Sequence, residues 1–321
     1  MPLAGSTPAV ERQSENRSQW PWRSTTCTSS TQNPACQSGT EIRTGWPALT
    51  EYTPRQSLSE AEVAEHNTAI WDRSAATSGI WSTPVTSEDV ESARKGELKI
   101  KLTPTKFVPA EWLPALSDLD VLALASGGGQ QAPLLAAAGA NVTLVDLSEG
   151  QLGVDRMVSE REGLSINIVK ADISDLSMFE PGSFDLIVHP ISNLFIATIN
   201  PVWREAFRVL RPGGTLISGF NNPAFYIFDW RDHERGILTV RHQLPFADAV
   251  DLPPEERDRF IEDGLTLEYS HTLEQQIGGQ INAGFEIIGF YEDRQEGVAL
   301  AEHMPTSIAT RARKPLLGAP D

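Results

Sequence analysis

Nine residues, Val121-Leu-Ala-Leu-Ala-Ser-Gly-Gly-Gly129, constrain the fold of this chain more than any other stretch. Val121 to Leu124 is a continuous apolar run bounded by turn residues, the pattern of a short parallel strand covered on both faces. The three glycines then remove side chains where the backbone must turn sharply or approach a ligand. Gln130 to Ala138 follows as an Ala/Leu-rich helix, with Pro133 tolerable in its first turn and Gly139 as its stop. Strand, glycine turn and helix together open a nucleotide-binding βαβ unit.

The rhythm continues downstream. Asn141 to Val145 reads as a second strand ending at Asp146, Ile166 to Val169 as a third followed by Ala171-Asp172, and Ser183 to Val188 as a fourth ending at His189-Pro190. Ser148 with Gln151 caps a helix whose buried face is expected to carry Val154, Met157 and Val158. Asn200 caps another that starts at Pro201 and places Trp203, Phe207 and Leu210 on one side. The turn Arg211-Pro-Gly-Gly214 leads to a fifth strand, Thr215 to Phe220. Strands alternating with helices predict a mainly parallel sheet with right-handed crossovers. From Asn221 to about Tyr269 the rhythm breaks. Prolines, an acidic run and two strand-like pieces, Ile237–His242 and Leu265–Tyr269, suggest an inserted flap (221–270). A helix, Leu273 to Ala283, and two further strands, Phe285–Tyr291 and Thr306–Arg311, close the pattern.

Residues 1–55 are rich in Ser, Thr, Pro, Gln and Gly without apolar periodicity, and are read as a disordered tail. Arg, Ser and Thr are frequent there, as in an organelle-targeting segment, but its glutamates count against that use. A capping box at Ser57 and Glu60 starts a helix to Thr77 with Val63, Ile70 and Trp71 on one side. A shorter helix spans Ser87 to Lys95, and Leu98 to Val108 is irregular. Residues 56–117 are taken as a helical cover over the main domain, its tryptophans, Trp81 among them, either core or pocket lining.

The formal net charge of −17 opposes a nucleic-acid partner or an anionic membrane surface. The two cysteines, Cys27 and Cys36, are too few for a disulfide scaffold. No apolar run approaches the ~20 residues of a membrane span, and the start, Met1-Pro-Leu-Ala-Gly, has no secretory pattern, so a cytoplasmic protein is expected.

Chemistry gathers at the strand ends. Gly127-x-Gly129-x-x-Ala132 fits the dinucleotide fingerprint of dehydrogenases as well as other nucleotide turns. Asp146, 17 residues after Gly129, can accept hydrogen bonds from both hydroxyls of a ribose, or can simply lead the helix after it. Asp172 can receive an exocyclic amine or cap the turn at Ser174.

These segments resemble the core of the class I S-adenosylmethionine-dependent methyltransferases, over residues 119–222. The first motif stands at Val121–Gly129, the acid after the second strand at Asp146, and the acid after the third in Ala171-Asp172-Ile173. Phe184-Asp-Leu-Ile-Val188 matches the fourth strand, and Leu210-Arg-Pro-Gly-Gly214 the turn before the fifth. The resemblance implies a Rossmann-like, doubly wound, seven-stranded sheet in a methyltransferase domain spanning 118–315. It implies S-adenosyl-L-methionine as cofactor, held by Ala125, Ser126, Gly127, Gly128, Gly129, Asp146, Leu147, Gln151, Asp172, Ile173 and His189. The chain departs from the family at Ala123, often an acid, and at Ala125, often glycine. His189-Pro-Ile-Ser192 differs from the Asn/Asp-Pro-Pro-Tyr of enzymes that methylate nucleic-acid amines, so a small-molecule acceptor is expected.

Methyl transfer from a sulfonium needs a base only if the acceptor must lose a proton. His189, at the end of the fourth strand, is the first candidate, and His271, which the flap could fold over the pocket, is the second; His242 and His303 have weaker claims. Asp229, Asp232, His233 and Glu234 read as a solvated loop rather than a metal site. Two other readings remain open: an NAD(P)-dependent oxidoreductase, and a non-catalytic homologue that binds the same cofactor.

Overall fold

A computed structural model describes residues 57–229, 231–232 and 235–316. The expected tail, both cysteines, and His233 and Glu234 lie outside the described residues.

Seven strands form one sheet: β1 (Asp120–Leu124), β2 (Asn141–Asp146), β3 (Ile166–Lys170), β4 (Phe184–His189), β5 (Leu210–Asn221), β6 (Glu286–Asp293) and β7 (Ser307–Arg313). Their order is β3-β2-β1-β4-β5-β7-β6. β1 to β5 run parallel, and β7 enters antiparallel between β5 and β6. The apolar run of β1 is continuous because both faces are covered. Val121 and Ala123 point into one core, with Leu135 of α3 (Gln131–Ala137) and Leu152 of α4 (Glu149–Glu162). Leu122 and Leu124 point into the other, with Val202, Trp203, Ala206 and Val209 of α5 (Asn200–Val209).

The Arg-Pro-Gly-Gly turn is absorbed into β5, which starts at Leu210 and pairs with β4 through a register shift. Arg211 reaches Asp185 at 2.5 Å and Asp120 at 2.7 Å, tying together the starting ends of β4 and β1. This motif is therefore a clamp at the end of the sheet opposite the glycine turn.

Local choices differ from the sequence reading where two signals compete. α1 (Glu60–Ala76) is capped by Ser59 and Glu62, not Ser57 and Glu60, two pairs with the same spacing. In α4, Met157 is exposed, and the buried stripe carries Gln151, Leu152, Asp155 and Val158. A buried carboxylate replaces the expected apolar residue because the Gly129 N–H donates to Asp155 Oδ2 at 3.0 Å. The helix expected over Leu273–Ala283 is split into a π-helical turn, Glu274–Gly278, and a helix, Gly279–Ala283.

The segment after β5 carries the helices Asp248–Asp251 and Pro254–Glu262, and among its described residues no strand forms. The strand-like pieces appear only as single bridges, Phe228 with Val240 and Ala247 with Tyr269. The alternating stretch Leu265–Tyr269 finds its edge partner in a side chain. Asn67 of α1 donates to Leu267 O at 2.8 Å and accepts from Leu267 N at 2.9 Å. His66 Nε2 donates to Leu265 O at 2.7 Å. Val63, Leu194, Tyr226, Phe246, Phe260 and Leu267 form a third core beneath this junction. Asn67→Ala will strand two buried backbone groups and cost about 2–4 kcal/mol. Urea unfolding measures the loss, which a merely surface asparagine would not produce.

Candidate functional site

A cavity of about 1350 Å³ opens at the carboxyl ends of the parallel strands, where open α/β sheets place ligands. Its walls are the turn Ala125–Gly127 after β1, Asp146 and Leu147 after β2, Ala171–Ser174 after β3, Pro190–Ser192 after β4, and Asn221 at the end of β5. α1 and the segment after β5 close the remaining sides through Ile70, Trp71, Phe225, Leu265 and Glu268.

The turn after β1 is built around Asp146. Gly127 N donates to Asp146 Oδ2 at 3.1 Å and Ser148 N to Oδ1 at 2.9 Å. A Cβ at Gly127 would lie 2.7 Å from Gln151 Cβ and 2.9 Å from Asp146 Oδ2, so only glycine fits. Gly128 and Gly129 turn the chain with φ of +89° and +70° but do not line the cavity. Ala125 takes φ +43°, a left-handed conformation in which its Cβ is strained. Gln151 lines the wall and is fixed by donating to Ser82 Oγ at 2.6 Å and Trp71 O at 3.0 Å. Asp172 caps the turn, its Oδ1 accepting from Ser174 N at 2.8 Å, and it also lines the cavity beside Ile173.

Two features of this wall suit a polar ligand. Ser126 Oγ is buried at the cavity with no hydrogen-bond partner among the described residues. The Asp146 carboxyl is pushed up by burial, against the backbone N–H groups that favour its charge. Each of its oxygens accepts one backbone bond and has capacity for another.

Neither histidine reaches the cavity wall. His189 is fully buried, shares a hydrogen bond with Ser192 Oγ at 2.8 Å, and packs 5.9 Å from the Trp203 ring centroid. Burial pushes its pKa down to about 3. His271 is also buried, its Nε2 donating to Asn193 O at 3.0 Å and Ile196 O at 2.8 Å. It pins the loop after β4. As an acid–base group, each is shut off from any acceptor in the cavity; the strand-end position was right for His189, but the side chain turns into the core. His242 stacks on Phe246 with centroids 4.0 Å apart, and burial lowers its pKa. Among the described residues no cluster of His, Cys, Asp or Glu is placed to hold a metal ion.

Three carboxylates went unnoticed in the sequence. Asp72 of α1 accepts from Ser148 Oγ at 2.5 Å and Gly150 N at 2.8 Å, joining α1 to the start of α4. Asp155 supports the glycine turn from below. Glu268 stands in the cavity wall; the alternation of Leu265–Tyr269, with Leu267 buried and Glu268 on the opposite side, was the available signal.

Burial pushes the Asp155 pKa up to about 7. Its folded pKa thus lies above its unfolded value, so folding takes up a proton between about pH 4 and pH 7, and stability falls as pH rises through that window. Asp155→Asn keeps an oxygen for Gly129 N but removes the titration. The variant is expected to gain on the wild type by a few kcal/mol between pH 5 and pH 8. Paired urea titrations at the two pH values check this; parallel curves would rule it out.

The comparisons with known proteins agree with this geometry. Residues 122–218 match a family model described as a methyltransferase domain. An uncharacterized methyltransferase of Bacillus subtilis, YbaJ, is 49% identical over 249 residues, covering 78% of this chain and 97% of that protein. A ubiquinone biosynthesis O-methyltransferase of Dechloromonas aromatica is 32% identical over 116 residues, 36% of this chain and 50% of that protein. Among solved structures, the 1,6-didemethyltoxoflavin-N1-methyltransferase of Burkholderia thailandensis shares the fold, with a TM-score of 0.51 and 14% identity over 80% of this chain and 91% of that one. Identity this high over nearly the whole Bacillus protein, on a sheet of this order with an acid closing β2, shows that the chain belongs to the S-adenosylmethionine-dependent methyltransferases.

Proposed function

We propose that the cavity binds S-adenosylmethionine along the ends of β1 to β3 and a small-molecule acceptor beneath α1 and the segment after β5. The observation that carries the cofactor half is the meeting of Gly127, Asp146 and the unpartnered Ser126 hydroxyl on one wall. Asp146 would accept from the ribose hydroxyls, Asp172 from the adenine amine, and Leu147 and Ile173 would pack against the base. Ser126 and the backbone of Ala125 would take the amino-acid end in place of the acid that Ala123 lacks. The bound cofactor supplies a methyl group already activated as a sulfonium. The chain contributes alignment and exclusion of water.

The acceptor half is mostly apolar, with Ile191, Leu194, Phe225 and Leu265 on its walls, which suits a small aromatic or apolar molecule. Part of this chain is similar to a ubiquinone biosynthesis O-methyltransferase, a name in line with this reading. The net charge of −17 argues against nucleic acid, and among the described residues no helix is long and apolar enough to cross a membrane. A cytoplasmic location is a separate part of the proposal, resting on the sequence reading alone.

Calorimetric titration with S-adenosylmethionine, S-adenosylhomocysteine and NAD(H) tests it. Micromolar binding of the sulfur nucleosides and none of NAD(H) is expected. The reverse would restore the oxidoreductase reading; tight cofactor binding without transfer to any ring acceptor would favour a non-catalytic binder.

A further inference from the structure

One wall of the cavity has no part in holding a nucleoside. At the end of β5, Asn221 Nδ2 donates to Tyr226 Oη at 3.1 Å, and Tyr226 Oη donates to Glu268 Oε2 at 2.9 Å. Tyr226 is buried, whereas Glu268 is half-buried in the cavity wall. Glu268 pairs with no lysine or arginine among the described residues. The same cavity is lined by the apolar Leu194, Phe225 and Leu265, with Thr266, which hydrogen-bonds Glu268, and Asn221 as polar members of the wall. A carboxylate held by a tyrosine, uncompensated by a cation and facing an apolar chamber, is costly unless it meets a donor there.

We propose that Glu268 is the proton acceptor of the methyl transfer and selects an acceptor that carries a hydroxyl on an apolar ring. This rests on the methyltransferase reading above. As the acceptor oxygen forms its bond to the methyl carbon and the carbon–sulfur bond breaks, the hydroxyl proton passes to the Glu268 carboxylate. The products are a methyl ether, a neutral thioether and a neutral carboxylic acid, so charge and atoms balance.

The surroundings suit that task. Burial, then the charge of Asp248, raise the Glu268 pKa to about 8, against the hydrogen bonds from Tyr226 and Thr266. A base near 8 is far better matched to a phenolic hydroxyl, with a pKa of about 10, than an ordinary carboxylate. The titratable groups around it are Asp248, whose Oδ2 accepts from Glu268 N at 2.8 Å and whose own pKa is pushed up to about 7, with Asp229 and Asp251 acting on it. Tyr226 is raised, and Tyr269 is raised by burial and by Glu60 of α1 and Asp248. His66 of α1 bonds the same segment at Leu265 O.

The test uses the full chain and 2-naphthol as the hydroxyaryl probe, with Glu268→Gln and Tyr226→Phe as variants. By calorimetry, S-adenosylhomocysteine should bind wild type and E268Q within about threefold. 2-Naphthol should bind the wild-type complex and bind the E268Q complex at least about tenfold more weakly. Methylation of 2-naphthol by wild type should rise with pH with a midpoint near pH 8, levelling off about one unit above it. E268Q should lose about 10²–10⁴-fold in kcat/KM together with the pH rise. Y226F, lacking the bond that stabilises the carboxylate, should keep the rise with its midpoint moved to higher pH. Equal naphthol binding or an unchanged pH profile in E268Q overturns the assignment. So does a wild-type complex that ignores 2-naphthol or binds it without transfer, or an E268Q protein that has lost S-adenosylhomocysteine. Failure of the wild type itself to bind S-adenosylhomocysteine would instead remove the methyltransferase reading on which this rests.

Discussion

Asp146→Ala will reduce affinity for S-adenosylmethionine and S-adenosylhomocysteine by at least about 100-fold while the protein stays folded. The carboxylate has two tasks. It accepts from Gly127 N and Ser148 N, fixing the turn, and it has the remaining oxygen capacity for a ribose. Removing it deletes both of the proposed ribose acceptors, each bond to a charged group being worth about 1.5–3 kcal/mol, so a loss of about 3 kcal/mol or more from binding is expected. Folding suffers less, because burial already makes the charged form unfavourable. Asp146→Asn should fall between, keeping one acceptor oxygen but presenting an N–H₂ toward one of two backbone N–H groups. Calorimetry gives the affinities and a thermal melt gives the stability. Wild-type affinity in D146A would mean that the nucleoside lies elsewhere in the cavity.

The second large effect is expected at Gly219→Ala, in the middle of the sheet. A Cβ there would sit 2.1 Å from the carbonyl oxygen and 2.8 Å from the carbonyl carbon of Leu102. The obstacle is backbone, so no rotamer change relieves it. The same carbonyl accepts from Ile191 N at 3.2 Å, and Leu102 is itself buried. The irregular segment around Leu102 thus straps β5 to the loop after β4, and lifting it also disturbs the cavity wall at Pro190–Ser192. Overpacking that moves backbone costs about 3 kcal/mol or more. For a domain of this size the melting temperature should fall by roughly 10 °C. A melt within a degree of wild type would show that the strap yields without cost.

The sheet was legible because both of its signals were redundant. Each strand announced itself by a short apolar run, and the first three strand ends by glycine or an acid, so boundary errors, the largest being the five residues by which β5 starts before Thr215, did not lose a strand. The strand-end wall of the cavity was legible for the same reason: Ser126, Gly127, Asp146 and Asp172 lie at fixed offsets from their strands and line it. What failed depended on side-chain direction or on distant partners. His189 occupied the right position, yet its ring turns toward Trp203, and no local pattern reports that. Asp155 broke the apolar face of α4 because its partner is an N–H in another element. Leu265–Tyr269 looked like a strand because it alternates as one, but its edge is satisfied by Asn67, 200 residues earlier. Glu268 was hidden by that same misreading.

α1 holds both halves of the cavity at once. Asp72 grips the start of α4 beside Asp146, and Asn67, little more than one turn earlier, grips the segment that carries Glu268. A ligand that draws either grip tighter positions the same rigid rod for the other. If the two proposed ligands bind these halves, affinity for one is expected to depend on the other, and by thermodynamic reciprocity any such factor is the same in both directions, which calorimetric titration of 2-naphthol with and without S-adenosylhomocysteine measures. An unchanged naphthol affinity would show that this 17-residue helix joins the two walls without coupling them.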